Sequence, residues 1–259
     1  MRDLLGNVEA GGKSVREDPM RKAADSMKPV LPKRFYKNVT SEMRDVGFVT
    51  LLDGKPIRTP ARKIMSVAAE AVADGLVEEW NAQQVHIDPA TMPLTRIVNS
   101  ALDGVAQTMD AVADEIGGYA GTDLLCYRAS GPHGLCERQR QHWDPVLSWV
   151  EENLGARFQL AEGVMFVEQS KEMLETIRAT LDQYDPIALS ALHTVTSITG
   201  SVLLALTLSH HGKTPAEIWQ AAHVDDDWNI ERWGEDDEAK RVRAYKRNDF
   251  DAAAIILCS

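Results

Sequence analysis

The chain has 259 residues, 44% hydrophobic and 26% charged, ordinary values for one or two globular domains with a substantial core. Its net charge of −11 hides an asymmetry: residues 1–63 carry 14 basic and 8 acidic side chains (net +6), residues 64–259 carry 14 and 31 (net −17). An acidic body argues against nucleic acid as a partner, because phosphates demand the opposite sign.

The three cysteines, Cys126, Cys136 and Cys258, form no CxxC pair and are odd in number, which predicts a reduced, intracellular setting. Residues 1–32 lack periodicity and end in Lys28-Pro29-Val30-Leu31-Pro32, so a flexible arm is expected. Met1–Lys28 has no apolar segment and contains Asp3, Glu9, Glu17, Asp18 and Asp25, features of neither a secretory signal nor a transit peptide. Gly11-Gly12-Lys13-Ser14 resembles the end of a phosphate-binding loop. Asn7 stands where the first glycine belongs, and no buried strand precedes it, so no nucleotide site is expected.

From Arg34 the texture is that of strands. RFYKNVT and GFVTLLDGKPIRTP are rich in β-branched and aromatic residues, and Asp53-Gly54 is a two-residue hairpin signal. A third run, Lys63–Val67, leads into a helix whose Val72, Leu76 and Trp80 share one face. Lys33, Arg34, Lys37, Lys55, Arg58, Arg62 and Lys63 decorate this unit and read as a solvated edge. A further helix is predicted from about Leu94, and a domain boundary near Asp103-Gly104.

Beyond the boundary helix follows helix. Val105, Met109, Val112 and Ile116 are expected on one face, closed by Gly117-Gly118. Between Leu135 and Leu154, Asp144-Pro145 reads as a helix restart, a cap followed by a first-turn proline. Phe158–Gln169 reads as loop or short strand, and Ser170–Tyr184 as an amphipathic helix. The stretch from Pro186 to Gly212 contains no charged residue. A membrane span needs about 20 predominantly apolar residues, but Ser190, His193, Thr194, Thr196, Ser197, Thr199 and Ser201 crowd its first half, and basic flanks and interfacial aromatics are missing. It therefore predicts a core helix, bent or broken near Thr199-Gly200 and wrapped by other helices. Thr214-Pro215-Ala216-Glu217 is a capping box. Asp225–Arg247 is expected as one long exposed helix, and DFDAAAIIL as a short apolar one. The fold class that emerges is α+β: a flexible arm (1–32), a small antiparallel-sheet domain with a helix (33–104), and a larger all-helical domain (105–259).

His133, Cys136 and Cys126 offer too few ligands for structural zinc. His210, His211 and His223 sit at predicted helix ends and read as structural. The acidic stretch is richer. Between Asp225 and Glu238 there are eight carboxylates and one cation, Arg232, with Trp228 and Trp233 interleaved. Three readings stand: a solvated helix with Asp236–Lys240 and Asp237–Arg241 pairs, a divalent-metal site, or a partner surface where tryptophan supplies area and the acids supply steering.

RFYKNV, LDGKPIRTP, EWNAQ with IDPATMPLTRIVNSALD, YAGTDLLCYRA, RQRQHWDPVLSW, GSVLLALTL and WNIERWGEDDEA occur in this order. Together they resemble the mitochondrial and bacterial chaperone family that assembles the catalytic head of the F-type ATP synthase. The resemblance covers Arg34 to the C-terminus. It implies a non-enzymatic chaperone without a cofactor, monomeric when free and not inserted in membranes. Such a protein holds the free α subunit on the surface that β later occupies, preventing its aggregation. The family's emphasis on C-terminal acids falls here on Glu235, Asp236 and Glu238, with Trp228 and Trp233 as neighbouring partner-binding candidates. A bacterial-type, cytoplasmic member is implied, the eukaryotic relatives working in the mitochondrial matrix. The rivals are a metal-dependent enzyme using the 225–238 acids and a structural subunit of a stable complex.

Overall fold

In the computed structural model, which describes residues 31–163 and 165–259, strands β1 (Val39–Arg44), β2 (Gly47–Leu52), β3 (Lys55–Pro56) and β4 (Ser66–Val67) form one antiparallel sheet. β2 is central, with β1 along one edge and β3 and β4 sharing the other. The Asp53-Gly54 hairpin is as expected: both residues take positive φ (47° and 79°), and Leu52 pairs with Lys55 across a two-residue turn. The first strand starts later than RFYKNVT suggests. Tyr36 instead turns into the core and donates its hydroxyl to the Trp80 carbonyl at 2.7 Å, while the Asp53 carboxylate accepts the Asn38 N–H at 2.8 Å. The Gly11–Ser14 motif and nearly all of the arm lie outside the described residues.

Helix α1 (Glu70–Ala82) lays Val72, Ala73 and Leu76 on this sheet. Its Glu79 reaches across to α2 (Pro93–Asp103) and accepts the exposed first-turn N–H groups of Leu94 and Thr95 at 2.6 and 2.8 Å. One side chain thus caps a second helix and joins the two. The approach is close: a Cβ on Gly75 would lie 2.7 Å from Leu94 Cδ2.

The expected Val105–Ile116 face is divided. A 3-10 turn (Val105–Gln107) precedes α3 (Met109–Gly118), because Thr108 leaves helical geometry at φ −138°. After β5 (Tyr127–Arg128) comes α4 (His133–Leu154), one uninterrupted helix with Pro145 inside it. The Asp144-Pro145 restart is therefore not formed. Trp143 and Val146, flanking the proline pair, are both buried in the core, and the Trp143 indole N–H donates to the Ala221 carbonyl at 2.7 Å. Packing on both sides offsets the lost backbone bond.

β6 (Ala161–Glu162) pairs in parallel with β5, and α5 (Lys171–Thr180) follows under a Ser170 cap. The uncharged stretch forms α6 (Pro186–Thr199) and α7 (Val202–Ser209), separated by Gly200 at φ 69°. The break falls at the expected place. α6 packs on α2, α3, α7 and α10 (Asp237–Leu257), while Val202–Leu208 of α7 is wholly buried. Each enclosed leucine contributes roughly 1.5–3 kcal/mol relative to exposure. Among the described residues no helix is long and apolar enough to cross a membrane.

α8 (Pro215–Ala222) begins at the predicted capping box, with the Thr214 hydroxyl and Glu217 carboxylate bonded reciprocally. α9 (Val224–Trp233) and α10 replace the single predicted helix over 225–247. Gly234 divides them at φ 82°, ψ 169°, a region open essentially to glycine alone. DFDAAAIIL is the inner half of α10 rather than a separate helix, since Phe250, Ala253, Ile256 and Leu257 are buried in the common core.

Candidate functional site

The acidic stretch folds into a corner. α9 is fastened to the body by α4: Arg138 forms a two-pronged ion pair with Glu231 at 2.7 and 2.9 Å, and Gln139 donates to Asp225 at 2.7 Å. The Arg138 guanidinium holds the Glu231 carboxyl below the usual carboxylate range. Trp228 is packed into the same seam. Its ring lies under Arg232 (4.0 Å) and Arg138 (5.3 Å), and a Cβ on Gly134 would sit 2.8 Å from its Cη2. Glycine at 134 is therefore what lets the indole approach α4 so closely.

Past Gly234 the Asp236 carboxylate accepts the N–H groups of Glu238 and Ala239 at 2.9 and 2.8 Å, capping α10. The anticipated pairing of Asp236 with Lys240 does not form; Glu238 instead lies 3.6 Å from Arg241. Asp227 of α9 and Arg243 of α10 make an ion pair that ties the two helices together. Every residue from Glu231 to Val242 is exposed, so the corner projects into solvent.

These bonds sort the eight carboxylates. Asp225, Asp227, Glu231 and Asp236 hold the corner in shape. Asp226, Glu235 and Asp237 have no hydrogen-bond or ion-pair partner among the described residues, and Glu238 has only the exposed Arg241. Trp233, 84% exposed, stands at the end of α9. It lines a groove of about 600 Å³ between α9 and the first half of α10, together with Ile230, Glu235, Glu238 and Val242. Trp233, Glu235, Asp236 and Glu238 are thus brought together on this groove, and Trp228 is not.

Sequence reasoning missed which acids are engaged. Their partners, Arg138 and Gln139, lie some ninety residues earlier in the chain. The one local signal was the spacing of Asp236 ahead of a helical run. Among the described residues no group of three or more His, Cys, Asp or Glu side chains converges as a metal site would require.

Residues 33–151 match the family model described as ATP12 chaperone protein. The crystal structure of Atp12 from Paracoccus denitrificans superimposes with a TM-score of 0.80 at 36% identity, covering 88% of this chain and 97% of that one. The chain belongs to the ATP12 chaperone family. The Atu1473 protein of Agrobacterium tumefaciens is similar as well, with a TM-score of 0.83 and 48% identity over 95% of this chain and 92% of that one. Protein atp12 of Schizosaccharomyces pombe, a mitochondrial protein, is 21% identical over 238 residues, 86% of this chain and 81% of that protein. The expected α+β architecture, a small antiparallel sheet followed by a mostly helical remainder, is the architecture of the ATP12 chaperones.

Proposed function

We propose that this ATP12-family chaperone acts in assembly of the F-type ATP synthase by binding the free α subunit and keeping it from aggregating until β pairs with it. It works without a cofactor, as a monomer when free, in the cytoplasm of a bacterium. The contact is the α9–α10 corner: Trp233, Glu235 and Glu238 meet the client, and Asp236 and Trp228 fix the shape of the surface that does so.

One observation carries this reading. An 84% exposed tryptophan stands beside Glu235, which has no partner among the described residues, and Glu238, paired only with the exposed Arg241. A large exposed aromatic next to unneutralised charge is the composition of a binding hot spot with its steering field.

The test is turbidity of the isolated α subunit with wild type, Glu235→Lys and Glu238→Lys, beside thermal melts. Protection should be lost while the melts stay nearly unchanged, since exposed charges contribute roughly 0–1 kcal/mol to folding. Full protection by both variants would return the stretch to a solvated helix.

A further inference from the structure

The groove between α9 and α10 has a chemical polarity of its own. Its floor is aliphatic, made by Ile230 of α9 and by Ala239 and Val242 of α10, with the Trp233 ring as one wall. Val242 is 46% exposed even though it faces a neighbouring helix, so the two helices do not close over it. Glu235 and Glu238 rim the end near Gly234, while Asp226 and Lys246 lie towards the opposite end, beside the Asp227–Arg243 pair. Arg243 also lines the groove, but Asp227 neutralises it. The lining residues of α9 recur at 226, 230 and 233 and those of α10 at 238, 239 and 242, a continuous stripe on each helix.

An aliphatic channel about 600 Å³ in volume takes a few side chains, not a folded domain. The exposed stripes of two helices are the usual seat for a third, amphipathic segment. Glu235, with no cation partner among the described residues, and Glu238, held only by the exposed Arg241, select where the basic groups of that segment must lie.

We propose that the α9–α10 groove receives a cationic amphipathic segment of the client, with aliphatic side chains on Ile230, Ala239 and Val242 and basic groups at the Gly234 end beside Glu235 and Glu238. This rests on the reading of the corner as the client site, and it adds what the client must present. A chaperone with such a seat recognises a basic, aliphatic stretch that assembly later buries. Clients without one pass by.

The probe is a short amidated peptide with leucines at helical spacing and lysines clustered at one end. It is compared with a scrambled peptide of the same composition and with one carrying glutamates for lysines. Trp233 reports directly: seating should blue-shift its emission and shield it from acrylamide, and both changes should vanish in Trp233→Phe. Affinity should fall about tenfold or more in Ile230→Ser/Val242→Ser and in Glu235→Gln/Glu238→Gln, a loss of hot-spot size. Glu172→Gln, an exposed acid on α5, should change nothing. Equal binding of the scrambled peptide, or no loss in the Ile230→Ser/Val242→Ser variant, would reduce the effect to general attraction by an acidic protein and overturn the proposal. So would self-association of the chaperone if it masks Trp233 in place of the peptide. If the α subunit is protected but the peptide never shields Trp233, the groove chemistry fails and the chaperone reading stands. If the peptide seats and the α subunit still aggregates, the reverse holds.

Discussion

Ser201 donates its hydroxyl to Asp123 at 2.7 Å, joining residues 78 apart in the chain at the break between the two core helices. The same carboxylate accepts the N–H groups of Leu203 and Leu125, each at 3.1 Å, and Ser201 Oγ in turn accepts the Leu204 N–H at 3.1 Å. Asp123 is fully buried, so it is the cap that allows a bare helix start to lie inside the core.

Removing that acceptor should be costly. Asp123→Ala leaves the Ser201 hydroxyl and two backbone donors without a partner in the interior, and about 2–4 kcal/mol of stability should be lost in denaturant titration. Ser201→Ala should cost less, because the carboxylate keeps its two backbone donors.

The same group makes stability depend on pH. Burial pushes the Asp123 carboxyl up from 3.8 to about 6, outweighing the hydrogen bonds that favour the anion. The folded state therefore holds this proton more tightly than the unfolded chain. The resulting stabilisation is complete below about pH 4 and is lost as pH rises through 6. Subtracting the stability of Asp123→Asn, which cannot titrate, from that of wild type should leave a difference that falls between those pH values, by about 3 kcal/mol at most. A flat difference would show that the folded carboxyl titrates at its unfolded value.

Trp143 and Trp80 should separate by chemistry. Trp143 is fully buried and its indole N–H is bonded to the Ala221 carbonyl, so Trp143→Ala should cost about 3–5 kcal/mol and Trp143→Phe should remain clearly destabilising. The Trp80 indole N–H is buried with no partner among the described residues, so Trp80→Phe should be nearly neutral while Trp80→Ala lowers the melt. Thermal melts of the four variants decide it.

At the corner, acids of one run should behave differently. Asp236→Ala removes the α10 cap and should cost about 0.5–2 kcal/mol, whereas Glu235→Ala and Glu238→Ala should stay within about 0.5 kcal/mol of wild type. Gly234→Ala forces a side chain into a backbone region it avoids and should cost about 1–3 kcal/mol. Hydrogen exchange should place the loss in the first turns of α10. An Asp236→Ala protein as stable as wild type would mean that the cap is idle.

What the sequence determined by itself was whatever depends on near neighbours. The Asp53-Gly54 turn, the Thr214 capping box and the break at Gly200 follow from φ preferences and from side chains that reach only a few residues along the chain. The absence of charge from Pro186 to Gly212 likewise placed the core before any contact was known. The ordered motifs pointed to the family for a related reason: each is a short local pattern. Only the tertiary structure decided what happens where local preference is outweighed. Pro145 stays inside α4 because Trp143 and Val146 are buried on both sides of it. Ala252–Leu257 continues α10 because the core receives its apolar face. The division of the acidic run into engaged and unpartnered carboxylates came last. Charge is a property of the run itself, but neutralisation depends on Arg138, Gln139 and Arg243, and only packing α9 against α4 and α10 sets those distances.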